Sequence, residues 1–303
     1  MDRLQVGGSL FMGEKAQFAS VRLHGASIEG QLSMNGSTFS GELAMDGLQV
    51  GGDLFMRDRA QFAAVRLPGA SIEGQLSMDG STFSGELAMD GLKVGDGLFL
   101  DNAVLGGESA PVLASLRGAS VEQLLSFVGT LFGSVDLRGA HIAGTFRIAW
   151  SDFAPTTLLD LTGATANTIE DRSDSWPLRL GLDGFTYGHW DALAEGNGDP
   201  LADRPSHWFL DWLARHEAYS PRRYEQLAKV MRDTGHAEKA SEILYAARER
   251  ERRAAWNRTK WRWVGLTAKM VVIGHGYYLR RSLWCALGFV FVGMAIFHTS
   301  PAV

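Results

Sequence analysis

The sequence predicts a mainly β protein: a β-solenoid of 11-residue units, about two per coil, followed by an α-helical hairpin and a C-terminal transmembrane helix. Three observations predict it. Residues 5–48 and 49–92 are nearly the same sequence twice, with 37 of 44 aligned positions identical. Inside that repeat, apolar residues recur every eleventh position, in ladders two residues apart. Near the C-terminus, residues 282–299 carry no formal charge and are nearly all apolar.

The first ladder is Leu10, Val21, Leu32, Leu43, Leu54, Val65, Leu76, Leu87 and Leu98, and the second runs two residues later, from Met12 through Leu23 and Met34 to Leu100. A spacing of two is strand periodicity, because successive side chains of a strand point to opposite faces. Gly25, Gly36, Gly47, Gly69, Gly80 and Gly91 follow the second ladder by two residues and supply turns. Short strands with turns at a fixed period and no helix between them predict a solenoid.

A further ladder sets the number of units per coil. Val6, Phe18, Ile28, Phe39, Val50, Phe62, Ile72 and Phe83 alternate aliphatic with aromatic. Two units per coil stack Phe on Phe along one corner and Ile or Val on Ile or Val along the other. The pattern weakens after residue 100 but persists. Residues 101–112 read as an insertion, Leu159, Leu161 and Gly163 echo the ladders, and Leu178, Leu180 and Leu182 form a last rung closing near Phe185. The solenoid is assigned to residues 1–185. Met1-Asp2 aligns with Met45-Asp46, so the chain starts inside a repeat, which reads as a fragment or as an end that docks on another molecule.

The remainder divides by composition. Residues 186–205, including GNGDPLADRP, read as a linker. A helical hairpin or cap is expected over 206–256, with Ser220-Pro221 as a helix start and Gly235 as a terminator. A basic amphipathic juxtamembrane segment follows over 257–281, and a transmembrane helix over 282–300. About 20 apolar residues span a bilayer, and this run is close to the lower limit.

Charge separates the two halves. Residues 1–199 hold 12 Lys+Arg against 25 Asp+Glu, whereas residues 200–281 hold 17 against 9. The cationic and aromatic residues near the apolar run are Arg248, Arg250, Arg252, Arg253, Trp256, Arg258, Lys260, Trp261, Arg262, Trp263, Arg280 and Arg281. Such a set suits nucleic acid or an anionic membrane surface, and the neighbouring apolar run favours the membrane. Positive charge on this side predicts the inner membrane, with the solenoid in the cytoplasm.

The run LRGAHIAG at 137–144 is similar to pentapeptide-repeat proteins, which stack quadrilateral coils; eleven is not a multiple of five, so most of the array departs from that pattern. The stretches 220–253 and 274–284 resemble a bacterial group of solenoid proteins with a helical C-terminal segment and membrane spans. Members of that group are often labelled membrane-associated oxidoreductases, and the resemblance implies a subunit of such an enzyme.

The residues themselves carry little chemistry. Neither GxxxxGK[ST] nor a GxGxxG opening a helix is present, and the single Cys285 excludes an intrachain disulfide and a cysteine-built cluster. His207, Asp211 and His216 are weak candidates for a metal site, more readily read as helix surface. No cofactor is expected. The outward positions are more informative: Phe11, Phe55 and Phe99 alternate with serines to give an exposed apolar stripe, and such a stripe marks contact with a partner. The sequence therefore predicts a membrane-tethered scaffold or protein-interaction module without catalysis. Its partners would be anionic lipids and an unknown protein, with self-association through the solenoid end as a further route. The competing readings are the oxidoreductase subunit and the vestibule of an oligomeric membrane pore.

Overall fold

A computed structural model describes residues 3–107, 110–131, 133–193, 199–216 and 219–258, together with Gly265, Thr267, Leu287, Val290, Phe291 and Met294. The chain forms two compact units, Met1–Pro205 with Asp211–Glu217, and Ser206–Leu210 with Ala218–Val303.

The first unit is a β-solenoid of about eight turns. Its strands are mostly two residues long and, apart from one antiparallel pair among the described residues, run parallel to the strand one coil away. The pairing offset is 22 residues over most of the array: Gln5 opposes Ser27, which opposes Gln49, which opposes Ser71, which opposes Lys93. Two sheets result, of 15 and 12 strands among the described residues. Strands this short hold together because every rung repeats the hydrogen bonds of the rung before it. The turn between sheets uses glycine where the backbone turns left-handed, as at Gly69, φ 64°.

The core between the sheets is the apolar ladders. Leu32, Leu54, Leu76 and Leu98 are fully buried, as are Met34, Met56 and Met78. Phe18, Phe39, Phe62 and Phe83 stack ring on ring, at centroid separations of 4.8, 5.2 and 5.2 Å and within 18° of parallel. Like stacks on like because the coil returns each residue type to the same corner. Polar groups at the corners are satisfied from the neighbouring coil: Ser37 and Ser81 donate to the carbonyls of Met12 and Met56, and Asn35, Asp53 and Asp79 accept from the amides of Arg57, Gln75 and Asp101.

The expected insertion is a small antiparallel excursion, in which Val104–Gly107 pairs with Ala110–Pro111. The solenoid runs further than Phe185. Thr186–Ala192, inside the stretch read as a linker, is a strand paired with Thr165–Asp171, and helix α1, Pro200–Asp203, lies in the same stretch. The sequence signal misses this rung because it alternates Tyr187 and Trp190 with polar residues and lacks the Leu/Met ladder.

The last coil is closed by aromatic packing within this unit. Helix α2, Ser206–Ala214, supplies Trp212, whose ring lies 5.3 Å from Trp176 and 5.0 Å from Trp190. Asp171, with a side chain fully shielded from solvent, receives hydrogen bonds from both indole nitrogens of Trp176 and Trp190 and a bidentate pair from Arg204 at 2.9 and 2.8 Å. Arg215 donates to the carbonyls of Trp176 and Pro177.

The second unit contains a helical hairpin of α3, Pro221–Asp233, and α4, Ala237–Arg258. Tyr224, Leu227, Val230 and Met231 of α3 and Ala240, Ile243 and Ala247 of α4 are buried. Ser220 occupies the N-cap position of α3 without a side-chain capping bond, and Gly235 (φ 93°) ends the turn between the helices. Among the described residues no helix is long and apolar enough to cross a membrane. The transmembrane helix expected over 282–300 lies outside the described residues except for Leu287, Val290, Phe291 and Met294, which are helical and exposed.

Candidate interaction face

The outer surface of the 15-stranded sheet presents its residues in columns, one residue per coil. In one column Phe11 pairs with Ser33, Ser33 with Phe55, Phe55 with Ser77, Ser77 with Phe99 and Phe99 with Ser126. The three predicted phenylalanines are thus brought into one line. Phe11 is 67% exposed and Phe55 and Phe99 are half-buried, while Ser33 and Ser77 fall to 9% and 2%. The Ser77 hydroxyl donates to Asp79 at 2.8 Å, and the Phe99 ring lies over Gly97 of its own rung. Arg57 caps one side of the column, its guanidinium carbon 4.3 Å from the centre of the Phe55 ring.

A second column, at the bend that precedes the Phe-bearing strands of the same sheet, was not singled out by sequence reasoning. Gly7, Glu29, Gly51, Glu73, Gly95 and Glu122 follow one another coil by coil, each amide donating into the coil before it from Glu29 onward. A Cβ on Gly51 would lie 2.4 Å from the Glu29 carbonyl oxygen, so glycine is demanded by the approach of the coils. A groove of about 510 Å³ opens along this column, lined by Ser27, Glu29, Gln49, Gly51, Ser71 and Glu73. The signal for it is the Gly/Glu alternation at 22-residue spacing, which resembles ordinary turn glycine until the register is known.

The other sheet carries ion pairs. Arg66 meets Asp46 at 2.9 Å and Glu42 at 3.6 Å. Asp136 accepts from Arg117 and Arg138, each at 2.6 Å. Burial works against its charge, but the hydrogen bonds from Arg138 and then Arg117 outweigh it and hold the carboxyl at about 2. Beside the 15-stranded sheet, burial raises the Asp101 carboxyl despite its bond from Ser126 at 2.6 Å.

The metal candidates do not assemble. Among the described residues no group of three or more His, Cys, Asp or Glu side chains could hold a metal ion. His207 and Asp211 are exposed on α2, and the His216 ring is engaged by the Leu182 amide at 3.2 Å and lies 3.7 Å from Asp183.

Of the predicted membrane-surface residues, Arg248, Arg250, Arg252 and Arg253 lie on α4. Arg248 pairs with Glu251, Arg252 and Arg253 with Glu249, and Arg250 donates to the Tyr224 hydroxyl. Two glutamates therefore offset part of this charge. Trp256 and Arg258 belong to α4, though their side chains fall outside the described residues, as do Lys260, Trp261, Arg262, Trp263, Arg280 and Arg281 entirely.

No protein-family model, curated protein or solved structure matches the chain. The solenoid fold implied by the resemblance is present; the pentapeptide and oxidoreductase families are supported by no match.

Proposed function

We propose that the protein is a non-catalytic interaction module, a cytoplasmic solenoid that docks a protein partner on its Phe-bearing face and is tethered to the inner membrane by its C-terminal part. The observation that carries the reading is the in-register Phe/Ser column, an apolar line kept outside the core on a surface where serine fits equally well. Exposed apolar surface of this kind favours contact. In this reading each coil consists of two eleven-residue steps, so the face is built by repetition and its length is set by the number of coils.

The tether rests on the basic stretch from Arg248 onward and the uncharged run at 282–299, with anionic lipid attracting each surface cation by about 1 kcal/mol. Leu287, Val290, Phe291 and Met294 of this run are helical and exposed.

Membrane fractionation of the full chain against a chain ending at residue 217 tests the tether. Residue 217 is the right boundary because Trp212 and Arg215 complete the last coil. The full chain should sediment with membranes and the shorter one remain in solution; two soluble forms at physiological salt would remove the tether. Capture of partners from detergent-solubilised membranes, repeated with Phe55→Asp and Phe99→Asp, tests the face, and an unchanged partner set would dismiss it.

A further inference from the structure

The docking face repeats every two coils. Phe11, Phe55 and Phe99 occupy alternate rungs of one column, and the Gly51 groove, flanked by Glu29 and Glu73, lies on the same rung as Phe55. Resting on the docking reading above, we propose that this face binds an extended peptide in the polyproline II conformation, with proline and a cationic residue each recurring every third position.

The period selects the ligand conformation. Coils about 4.8 Å apart place successive Phe rungs about 9.6 Å apart. Polyproline II advances about 3.1 Å per residue and returns to the same face every three, or about 9.3 Å. Six residues therefore span about 18.6 Å, against about 19.2 Å from the Phe11 rung to the Phe99 rung. A strand returns to one face every two residues, about 6.7 Å. Two turns of α-helix advance about 10.8 Å. Either ligand falls out of step with the rungs by more than 2 Å within four coils.

The cross-section fits as well. A polyproline II segment has three side-chain rows, of which two meet a flat surface. One row, of prolines, lies against the Phe column, the contact by which aromatic surfaces take up proline-rich segments. The second row reaches the glycine column, where a Lys or Arg side chain enters the gap between the Glu29 and Glu73 carboxylates. The ligand makes no internal backbone hydrogen bonds, so its carbonyls and amides are available to Gln31, Gln49 and the serines of this face.

Charge favours the same ligand. Glu29, Glu73 and Glu122 are exposed; Arg57 lies over Phe55, Lys93 stands on the Gly95 rung, and Arg147, opposite Ser126, is paired with Glu170 at 2.7 Å. A carboxylate row of this kind recruits a basic partner and discriminates against an acidic or uncharged one.

The test uses the detergent-solubilised full chain and a fluorescein-labelled peptide of about fifteen residues repeating Pro-Arg-Ala, about 46 Å long as polyproline II. Saturable binding by anisotropy is expected. It should weaken at least about tenfold in the Phe55→Ser/Phe99→Ser double variant, and likewise in Glu29→Gln/Glu73→Gln. Serine already stands on the intervening rungs of the Phe column, so the first variant preserves the fold. A scrambled peptide of the same composition should bind at least about tenfold more weakly. Equal binding of the scrambled peptide would reduce the interaction to bulk charge and overturn the proposal. Absence of peptide binding would overturn it too, and the docking reading survives that result when Phe55→Asp and Phe99→Asp still strip captured proteins. Retention on an insoluble β-linked glycan that the Phe variants lose, without peptide binding, would give the face to a carbohydrate instead.

Discussion

Asp136 shows how a single side chain couples the solenoid to pH. It is 6% exposed and held by two arginines. Its carboxyl is lowered from 3.8 to about 2 in the folded chain. A lowered folded value means that the carboxylate stabilises the native state above the unfolded value, and that this contribution is lost as pH falls from about 4 through about 2. The amount is about 2 kcal/mol. Urea unfolding between pH 5 and 2 should show it, and Asp136→Asn should flatten that part of the profile while lowering stability at neutral pH. A different residue-scale effect acts at the corners. Asp58 and Arg59 both have φ near +63°, a left-handed conformation that costs a residue with a Cβ about 1–2 kcal/mol. Equivalent corners in other coils use glycine, as at Gly36 and Gly80. Arg59→Gly should therefore raise stability by up to about 1 kcal/mol in denaturant titration, after the larger chain entropy of glycine is deducted.

Among the elements, the closure of the last coil carries the sharpest requirement. Thr186–Ala192 and the C-cap of α1 are held by a buried carboxylate whose two oxygens receive two indoles and one guanidinium. Breaking a buried pair by removing one partner leaves the other charge uncompensated and costs about 3–5 kcal/mol. Arg204→Ala should lower stability by that amount, and hydrogen exchange should show the loss first in residues 165–192, because a solenoid opens from the coil that has lost its neighbour. The Phe stack is the element-scale counterpart in the middle of the array. Phe62 touches a ring above and a ring below, so Phe62→Ala should cost about 3–5 kcal/mol by calorimetry.

At the scale of the whole molecule, length and face are linked. Residues 49–92 comprise 44 residues, two coils at the observed 22-residue offset. Lys93 occupies the column position of Gln49, so deleting 49–92 joins two chain ends already in register. The shortened protein should fold cooperatively, with a smaller m-value in urea because less surface is exposed on unfolding. It should keep a face one period shorter, because Gly95 and Phe99 then take the positions of Gly51 and Phe55 next to Glu29 and Ser33, so docking should weaken while folding is retained.

The repeat made the solenoid legible from sequence, since a spacing of two inside a fixed period leaves strands as the only way to bury Leu32, Leu54 and Leu76 together. The stripe was legible for the same reason: positions between inward residues must face outward. The tertiary structure decided what depends on residues distant in sequence. The strand Thr186–Ala192, the burial of Asp171 by Arg204 and the failure of His207, Asp211 and His216 to assemble follow from long-range packing. The Gly/Glu column belongs here as well, because a glycine opposite the Glu29 carbonyl, 22 residues away, acquires meaning only when the coils are stacked. Period is a local property of the chain and survives in the sequence, whereas closure and grooves arise where separate coils meet.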